Sequence, residues 1–148
     1  MNVSSNEEEN VPESLYKYLM TVVRRNGIED IRIRIFIRSD GEVALVAKKD
    51  GRGNHHLLPC CNLDRNADGK EMEDVIKDMV EKAGLKMSCV RKYLRSRDCS
   101  GKMKYFDFEV VVEKRKSDNV KWIKKADVGR LNLPEAEKRI LKDYFETD

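Results

Sequence analysis

The feature that most restricts the fold is the alternation of residues 31–38, which run Ile-Arg-Ile-Arg-Ile-Phe-Ile-Arg. A period of two puts the isoleucines on one side of a β-strand and the arginines on the other. Ser39, Asp40 and Gly41 then supply turn residues, and residues 42–49 form a second stretch that is rich in Val and Ala. The sequence therefore predicts a β-hairpin with one face in the protein core.

Helical periodicity occurs on both sides of this hairpin. Residues 12–26 place apolar side chains on one helical face, and Gly27 follows as a stop signal. Residues 71–83 repeat apolar side chains at the same spacing until Gly84 ends the pattern. A third helix is predicted after Leu133, where the same periodicity returns.

The remaining chain contributes further strands and loops. Strands are predicted at residues 88–97, 104–114 and 120–123, whereas residues 50–54 and 60–69 are predicted to be loops. Because helices and strands interleave along the chain, the fold class is α/β or α+β with a mixed sheet.

The length of 148 residues is typical of one domain. Residues 1–11 contain a glutamate triplet and few apolar side chains, so they are predicted to form a disordered acidic tail. Residues 12–148 are predicted to form a single domain, in which residues 12–27 are an additional N-terminal helix.

The net charge and the cysteine content restrict the cellular compartment and the class of ligand that we expect for this chain. Lys and Arg total 30 against 27 acids, and the net charge of +3 does not by itself indicate a nucleic-acid partner. The acids collect at the N-terminus, so the folded part is more basic and suits a polyanionic ligand. The four cysteines lack zinc-type spacing, and no signal peptide or membrane span precedes them. An intracellular protein, cytoplasmic or nuclear, with no membrane association is expected.

A stripe of carboxylates accompanies the helix at residues 71–83. Glu71, Asp74, Asp78 and Glu81 recur every three or four residues and therefore lie along one side of the helix. Such a stripe could hold a divalent cation, because Mg²⁺ prefers carboxylate oxygens. The alternative is a solvated face on which lysines pair with acids four residues earlier, as Lys82 would with Asp78.

The order of these elements resembles the Nudix hydrolase family over residues 31–145. A Leu-Pro loop is followed by the acidic helix ending in Gly-Leu, two paired strands, a Trp-Ile strand and a final helix. The family motif is G-x5-E-x7-R-E-U-x-E-E-x-G-U, where U is a bulky aliphatic residue. It would align Lys77 with the Arg, Asp78 with the first Glu, and Glu81 and Lys82 with the Glu pair. The resemblance implies an α/β/α sandwich with a mixed sheet.

The same resemblance implies the site of an active enzyme. Asp78 and Glu81, helped by Glu71 or Asp74, would hold Mg or Mn, which would polarise a diphosphate and activate water. Lys77 would orient these carboxylates as the family Arg does.

A narrower resemblance is to the branch that cleaves diphosphoinositol polyphosphates. It is carried by Ile37-Arg38-Ser39, by Trp122-Ile123 and by the closing Tyr144-Phe145. This resemblance implies a polyphosphorylated ligand, and arginine forks match phosphate oxygens in pairs. A solvated surface is the alternative interpretation of each arginine. The predicted ligand-binding residues are Arg32, Arg34, Arg38, Arg95, Arg97 and Arg115.

Three departures from the family pattern bear on activity. Pro59-Cys60-Cys61 stands where the family has Pro-Gly-Gly, Gly69 occupies the position of the earlier Glu, and Lys82 replaces a metal-binding Glu. A lysine at a metal position repels the cation directly. The sequence therefore predicts a degenerate Nudix domain for which no cofactor is expected. This domain would bind a phosphate ligand, a protein or RNA. The alternative is an active metal-dependent pyrophosphohydrolase acting on diphosphoinositol polyphosphates or nucleoside diphosphate derivatives.

An RNA partner would need exposed aromatic side chains beside basic ones. Tyr93, Tyr105 and Phe106 are interleaved with basic residues on the predicted strands, so they are the candidate stacking residues. Aromatic residues in strands more often belong to the core.

Overall fold

The computed structural model describes residues 11–50, 53–100, 102–114 and 116–147. Three α-helices and a short 3-10 helix accompany seven strands. The helices are α1 (Glu13–Arg25), α2 (Gly69–Lys82) and α3 (Glu135–Thr147), with the 3-10 helix at Lys125–Arg130. The strands are β1 (Asp30–Ser39), β2 (Glu42–Asp50), β3 (Gly53–Leu57), β4 (Cys60–Leu63), β5 (Lys86–Ser100), β6 (Met103–Lys114) and β7 (Val120–Ile123).

The strands form one mixed sheet. Its main path runs β3-β2-β1-β6-β5, with β4 paired to β1 and β7 paired to β2. The β1 and β6 strands run parallel over nine residue pairs, whereas the other pairs are antiparallel. The predicted hairpin of β1 and β2 is confirmed, with Ser39 opposite Glu42 and with positive φ angles at Asp40 and Gly41 in the turn.

Each face of the sheet has its own core. The four isoleucines of β1 lie with Phe106 and Phe108 against α1 and α2. Phe36, which takes the place of an arginine in the alternation, lies on the opposite face with Leu141 and Tyr144 of α3. Helices thus flank a mixed sheet on both faces, which confirms the predicted fold class.

Residue 69 allows α1 and α2 to approach closely. A Cβ atom added to Gly69 would lie 3.1 Å from Cβ of Tyr16 and 3.3 Å from the backbone nitrogen of Lys17. The helix starts two residues before the predicted position because the side chain of Asp68 accepts a hydrogen bond from the Glu71 amide, at 2.8 Å.

Two predicted loops contain strands instead. Residues 60–63 form β4, which pairs with Ile31 to Arg34 of β1, and residues 53–57 form β3, which pairs with β2. The β4 strand forms by pairing with residues that are remote in sequence, so its own composition carries little signal. The β3 strand continues a local hairpin with β2, but its polar residues 53–56 do not show the alternation typical of a strand.

The predicted acidic tail lies outside the described residues except for Val11. Val11 is buried and its amide donates to the Val90 carbonyl at 2.9 Å, so this residue packs against the domain. Among the described residues, no helix has the length and apolar character needed to cross a bilayer.

Candidate functional site

The segment aligned with the Nudix motif lies in the second half of α2. Met79 and Val80 are buried against the sheet, whereas Asp78 and Glu81 are exposed. The Nζ atom of Lys82 lies 3.1 Å from Oδ2 of Asp78 in an ion pair between successive turns of the helix. Lys82, which the resemblance aligns with a metal-binding Glu, therefore pairs with Asp78, which the resemblance aligns with the first motif Glu.

The predicted metal ligands do not converge. Glu71 lies in the first turn of α2 and Glu81 in the last, and ten residues of helix separate them by roughly 15 Å. Lys77, which was predicted to orient the carboxylates, is exposed on α2. In the part of the chain that the structure describes, no three His, Cys, Asp or Glu side chains are grouped to hold a metal ion. The described residues therefore do not bring Glu71 together with Asp78 and Glu81.

A cleft runs from the end of α2 to the start of α3. Beside α2 a cavity of about 410 Å³ is lined by Cys61, Asp78, Lys82 and Asn119, among others. Another part of the cleft, a cavity of about 350 Å³, lies toward α3. The two share four lining residues and so adjoin each other. These are Val46, Ala47, Pro59 and Cys60.

The α3 end of the cleft is basic and aromatic. Its lining includes Arg32, Arg34 and Tyr105. The guanidinium carbon of Arg34 lies 4.2 Å from the centroid of the Tyr105 ring, a cation-π contact. Arg32 binds Asp30 through two nitrogens, at 3.3 and 3.2 Å. Arg32 thus remains at the surface, while Arg34 is nearly buried.

The two Cys residues at the position of the family glycines belong to β4. Cys60 lies opposite Arg34 in the sheet and lines the cleft. Burial raises the pKa of the Cys60 thiol, although the positive charges of Arg34 and Arg32 oppose this rise.

Two buried carboxylates on β6 hold several of the predicted ligand-binding arginines. Asp107 accepts hydrogen bonds from Arg34 at 3.3 Å and from Arg97 at 3.0 Å. Burial raises the pKa of Asp107, and the two arginine charges oppose the rise. Because a buried carboxylate is costly unless it is paired, these arginines stabilise the fold as well as line cavities.

Glu109 is the second buried carboxylate. Its side chain accepts a hydrogen bond from Arg91 at 2.5 Å and forms an ion pair with Arg38 at 3.5 Å. The Tyr144 hydroxyl of α3 donates to Oε2 of Glu109, also at 2.5 Å. Both carboxylates were missed in the sequence, although acids at alternate positions of an otherwise apolar strand are the signal that would have found them.

The predicted arginines therefore do not form one site. Arg32 and Arg34 line the cleft, whereas Arg95 and Arg97 line a separate cavity between β5 and α3. Arg38 is held by Glu109. Arg115, the sixth predicted ligand-binding residue, lies outside the described residues.

The aromatic residues predicted to stack on RNA bases are mostly engaged elsewhere. Phe106 is buried in the core beneath α1 and α2, so its predicted role is wrong. The Tyr93 ring packs against Phe106 and Phe108, with centroid distances of 6.3 and 5.4 Å. Tyr105 has Arg34 over its ring.

Solved structures of known proteins share this arrangement of helices and sheet. MutT, from a structural study of the Aliivibrio salmonicida and Vibrio cholerae proteins, matches with a TM-score of 0.55 and 12% identity, covering 80% of this chain and 97% of that one. The C-terminal domain of mouse MUTYH, solved with human PCNA, matches with a TM-score of 0.58 and 12% identity, covering 80% and 89%. The chain has a Nudix-like fold.

At these identities the similarity shows the Nudix-like fold alone. A Sinorhizobium meliloti protein, provisionally named an oxidoreductase, also matches, with a TM-score of 0.64 and 13% identity over 92% of this chain. This chain spans only 43% of the length of that protein. No protein-family model and no curated protein sequence matches the chain.

Proposed function

We propose that this Nudix-like domain binds a polyphosphorylated small molecule and does not hydrolyse it by a metal-dependent mechanism. The observation that carries the proposal is the ion pair between Lys82 and Asp78 at 3.1 Å. A divalent cation at Asp78 would have to displace Lys82 or lie within a few ångströms of its charge, and both cost free energy. Glu81 alone does not replace a set of converging carboxylates.

The cleft supports the binding half of the proposal. It has cationic side chains at both ends, Lys82 beside α2 and Arg32 with Arg34 toward α3. Phosphate groups attract such side chains, and arginine binds them through paired hydrogen bonds. A ligand with phosphates on opposite sides of a compact ring, such as a diphosphoinositol polyphosphate, would contact both ends at once.

Binding is tested by calorimetric titration of a diphosphoinositol polyphosphate in the presence of a metal chelator. Arg32→Gln and Lys82→Gln are each expected to weaken binding about tenfold, since each removes one charge-assisted contact. Lys102→Gln is the matched control, because Lys102 is exposed and pairs with Glu29, at 3.6 Å, away from the cleft. Absence of binding without metal, or an equal loss in the Lys102→Gln variant, would contradict the proposal.

The alternative of an active pyrophosphohydrolase rests on the retention of Asp78 and Glu81 in α2. It is tested by incubating the protein with Mg²⁺ or Mn²⁺ and the same ligand. We expect no turnover by the natural sequence, and turnover gained with Lys82→Glu would support the loss of a metal ligand. Turnover by the natural sequence that Glu81→Gln abolishes would establish the alternative.

A protein partner is the second candidate, because the structurally similar MUTYH domain was solved in complex with PCNA. If the diphosphoinositol polyphosphate does not bind in the presence of the chelator, a protein partner becomes the favoured ligand of this domain.

A further inference from the structure

A second cavity lies farther along the same face of α3, toward the C-terminal end of the helix. Its volume is about 250 Å³, and it opens between α3 and β5, the outer strand of the sheet. Ile140 is the one lining residue that it shares with the cavities of the cleft. Asp107 separates the two spaces, since it binds Arg34 of the cleft on one side and Arg97 of the second cavity on the other.

One wall of this cavity is apolar and aromatic. The rings of Phe36 and Tyr144 stack with their centroids 4.6 Å apart and an angle of 12° between their planes. Leu94 and Ile140 pack against the same cluster and also line the cavity. Because Phe36 and Tyr144 are buried, the half-buried Leu94 and Ile140 are the apolar side chains that a bound group would cover.

The opposite wall carries surplus positive charge. Lys92, Arg95 and Arg97 all line the cavity, and Asp107 is the only acid that does so among the described residues. The charge of Asp107 is already matched by Arg34 and Arg97. Within the described parts of the chain, neither Lys92 nor Arg95 has an ion-pair partner. An anion at the mouth of the cavity would supply that partner.

We propose that this second cavity binds an aryl phosphate monoester, independently of the cleft. The aryl ring lies against Leu94 and Ile140, above the buried Phe36 and Tyr144, and the phosphate binds Arg95 and Lys92. A volume of about 250 Å³ suits one ring with one phosphate and is too small for a polyphosphorylated ligand. The aryl phosphate can belong to a free small molecule or to a phosphotyrosine side chain of another protein.

The test is a titration with phenyl phosphate followed by amide chemical shifts and calorimetry. Arg95→Gln and Lys92→Gln are each expected to weaken binding about tenfold, because each removes a charge-assisted contact to the phosphate. Lys86→Gln is the matched control, since Lys86 lies on the same strand but pairs with Glu113 at 3.3 Å. Arg32→Gln, which acts on the cleft, is expected to leave phenyl phosphate binding unchanged.

Two further ligands test the chemistry and its source. Inorganic phosphate is expected to bind at least about tenfold more weakly than phenyl phosphate, because the apolar wall would remain uncovered. A short phosphotyrosine peptide that binds more tightly than phenyl phosphate supports a protein source, and equal or weaker binding supports a free small molecule. Equal affinity for both phosphates, or an unchanged affinity in both the Arg95→Gln and Lys92→Gln variants, would overturn the proposal.

Discussion

The role of each arginine on the sheet depends on whether it pairs with a buried carboxylate. Asp107 and Glu109 are almost completely buried, and each is paired with two guanidinium groups. Removing a partner from a buried carboxylate leaves an uncompensated charge, which is strongly destabilising. Arg34 and Arg38 therefore stabilise the fold by pairing with these carboxylates.

Two tyrosine hydroxyls allow a matched prediction at this scale. The Tyr144 hydroxyl donates to Glu109, whereas the buried Tyr16 hydroxyl has no hydrogen-bond partner among the described residues. Tyr144→Phe is expected to lower the free energy of unfolding by about 1–3 kcal/mol. Tyr16→Phe is expected to leave it unchanged or to raise it by up to about 1 kcal/mol, since no hydrogen bond is lost. Urea denaturation of both variants measures the difference, and an equal loss in the two would contradict the assignment.

At the scale of elements, local periodicity predicted α1, α2, the β1–β2 hairpin and α3 well. The strands β3 and β4 escaped prediction, and β4 has only four residues and exists because it pairs with β1. The position of α3 is likewise set by a remote contact. Oε1 of Glu137 accepts a hydrogen bond from the Leu58 amide at 2.6 Å, which joins the first turn of α3 to the segment before β4.

This contact gives the prediction for α3. Glu137→Ala is expected to lower the free energy of unfolding by about 1–3 kcal/mol, because the amide of the buried Leu58 loses its acceptor. Glu135→Ala is the matched control, since Glu135 is an exposed acid in the same turn, and its effect should stay within about 0.5 kcal/mol. Urea denaturation gives the free energies, and hydrogen exchange at the Leu58 amide reports the local contact. Unchanged exchange in Glu137→Ala would show that the contact does not anchor α3.

At the scale of the whole molecule, the sheet separates two kinds of surface. The face toward α1 and α2 is packed with isoleucine and phenylalanine. The face toward α3 has a smaller core, and the buried carboxylates with their arginines lie beside it. The α3 end of the cleft and the second cavity both open on this face, on either side of Asp107. These openings lie where polar groups interrupt the packing.

The buried carboxyl of Asp107 leads to a prediction about acid stability. Burial raises its pKa in the folded state, so the folded protein binds this proton more tightly than the unfolded chain does. Its contribution to the free energy of unfolding is then fully present in acid. It declines as the pH rises from the ordinary value of 3.8 through the raised folded value. The stability of the natural sequence minus that of Asp107→Asn should fall over this window, as measured by urea denaturation at a series of pH values. A stability difference that rises with pH would show that the arginine charges lower the pKa of Asp107 more than burial raises it.

The sequence by itself determined the helices, the first hairpin, the mixed α/β character and the pairing of Lys82 with Asp78. These features depend on neighbours within about four residues, so spacing alone encodes them. Only the tertiary structure decided which arginines hold Asp107 and Glu109 and which line a cavity. Those outcomes depend on contacts between residues that are far apart in sequence or in space, and no local pattern specifies them.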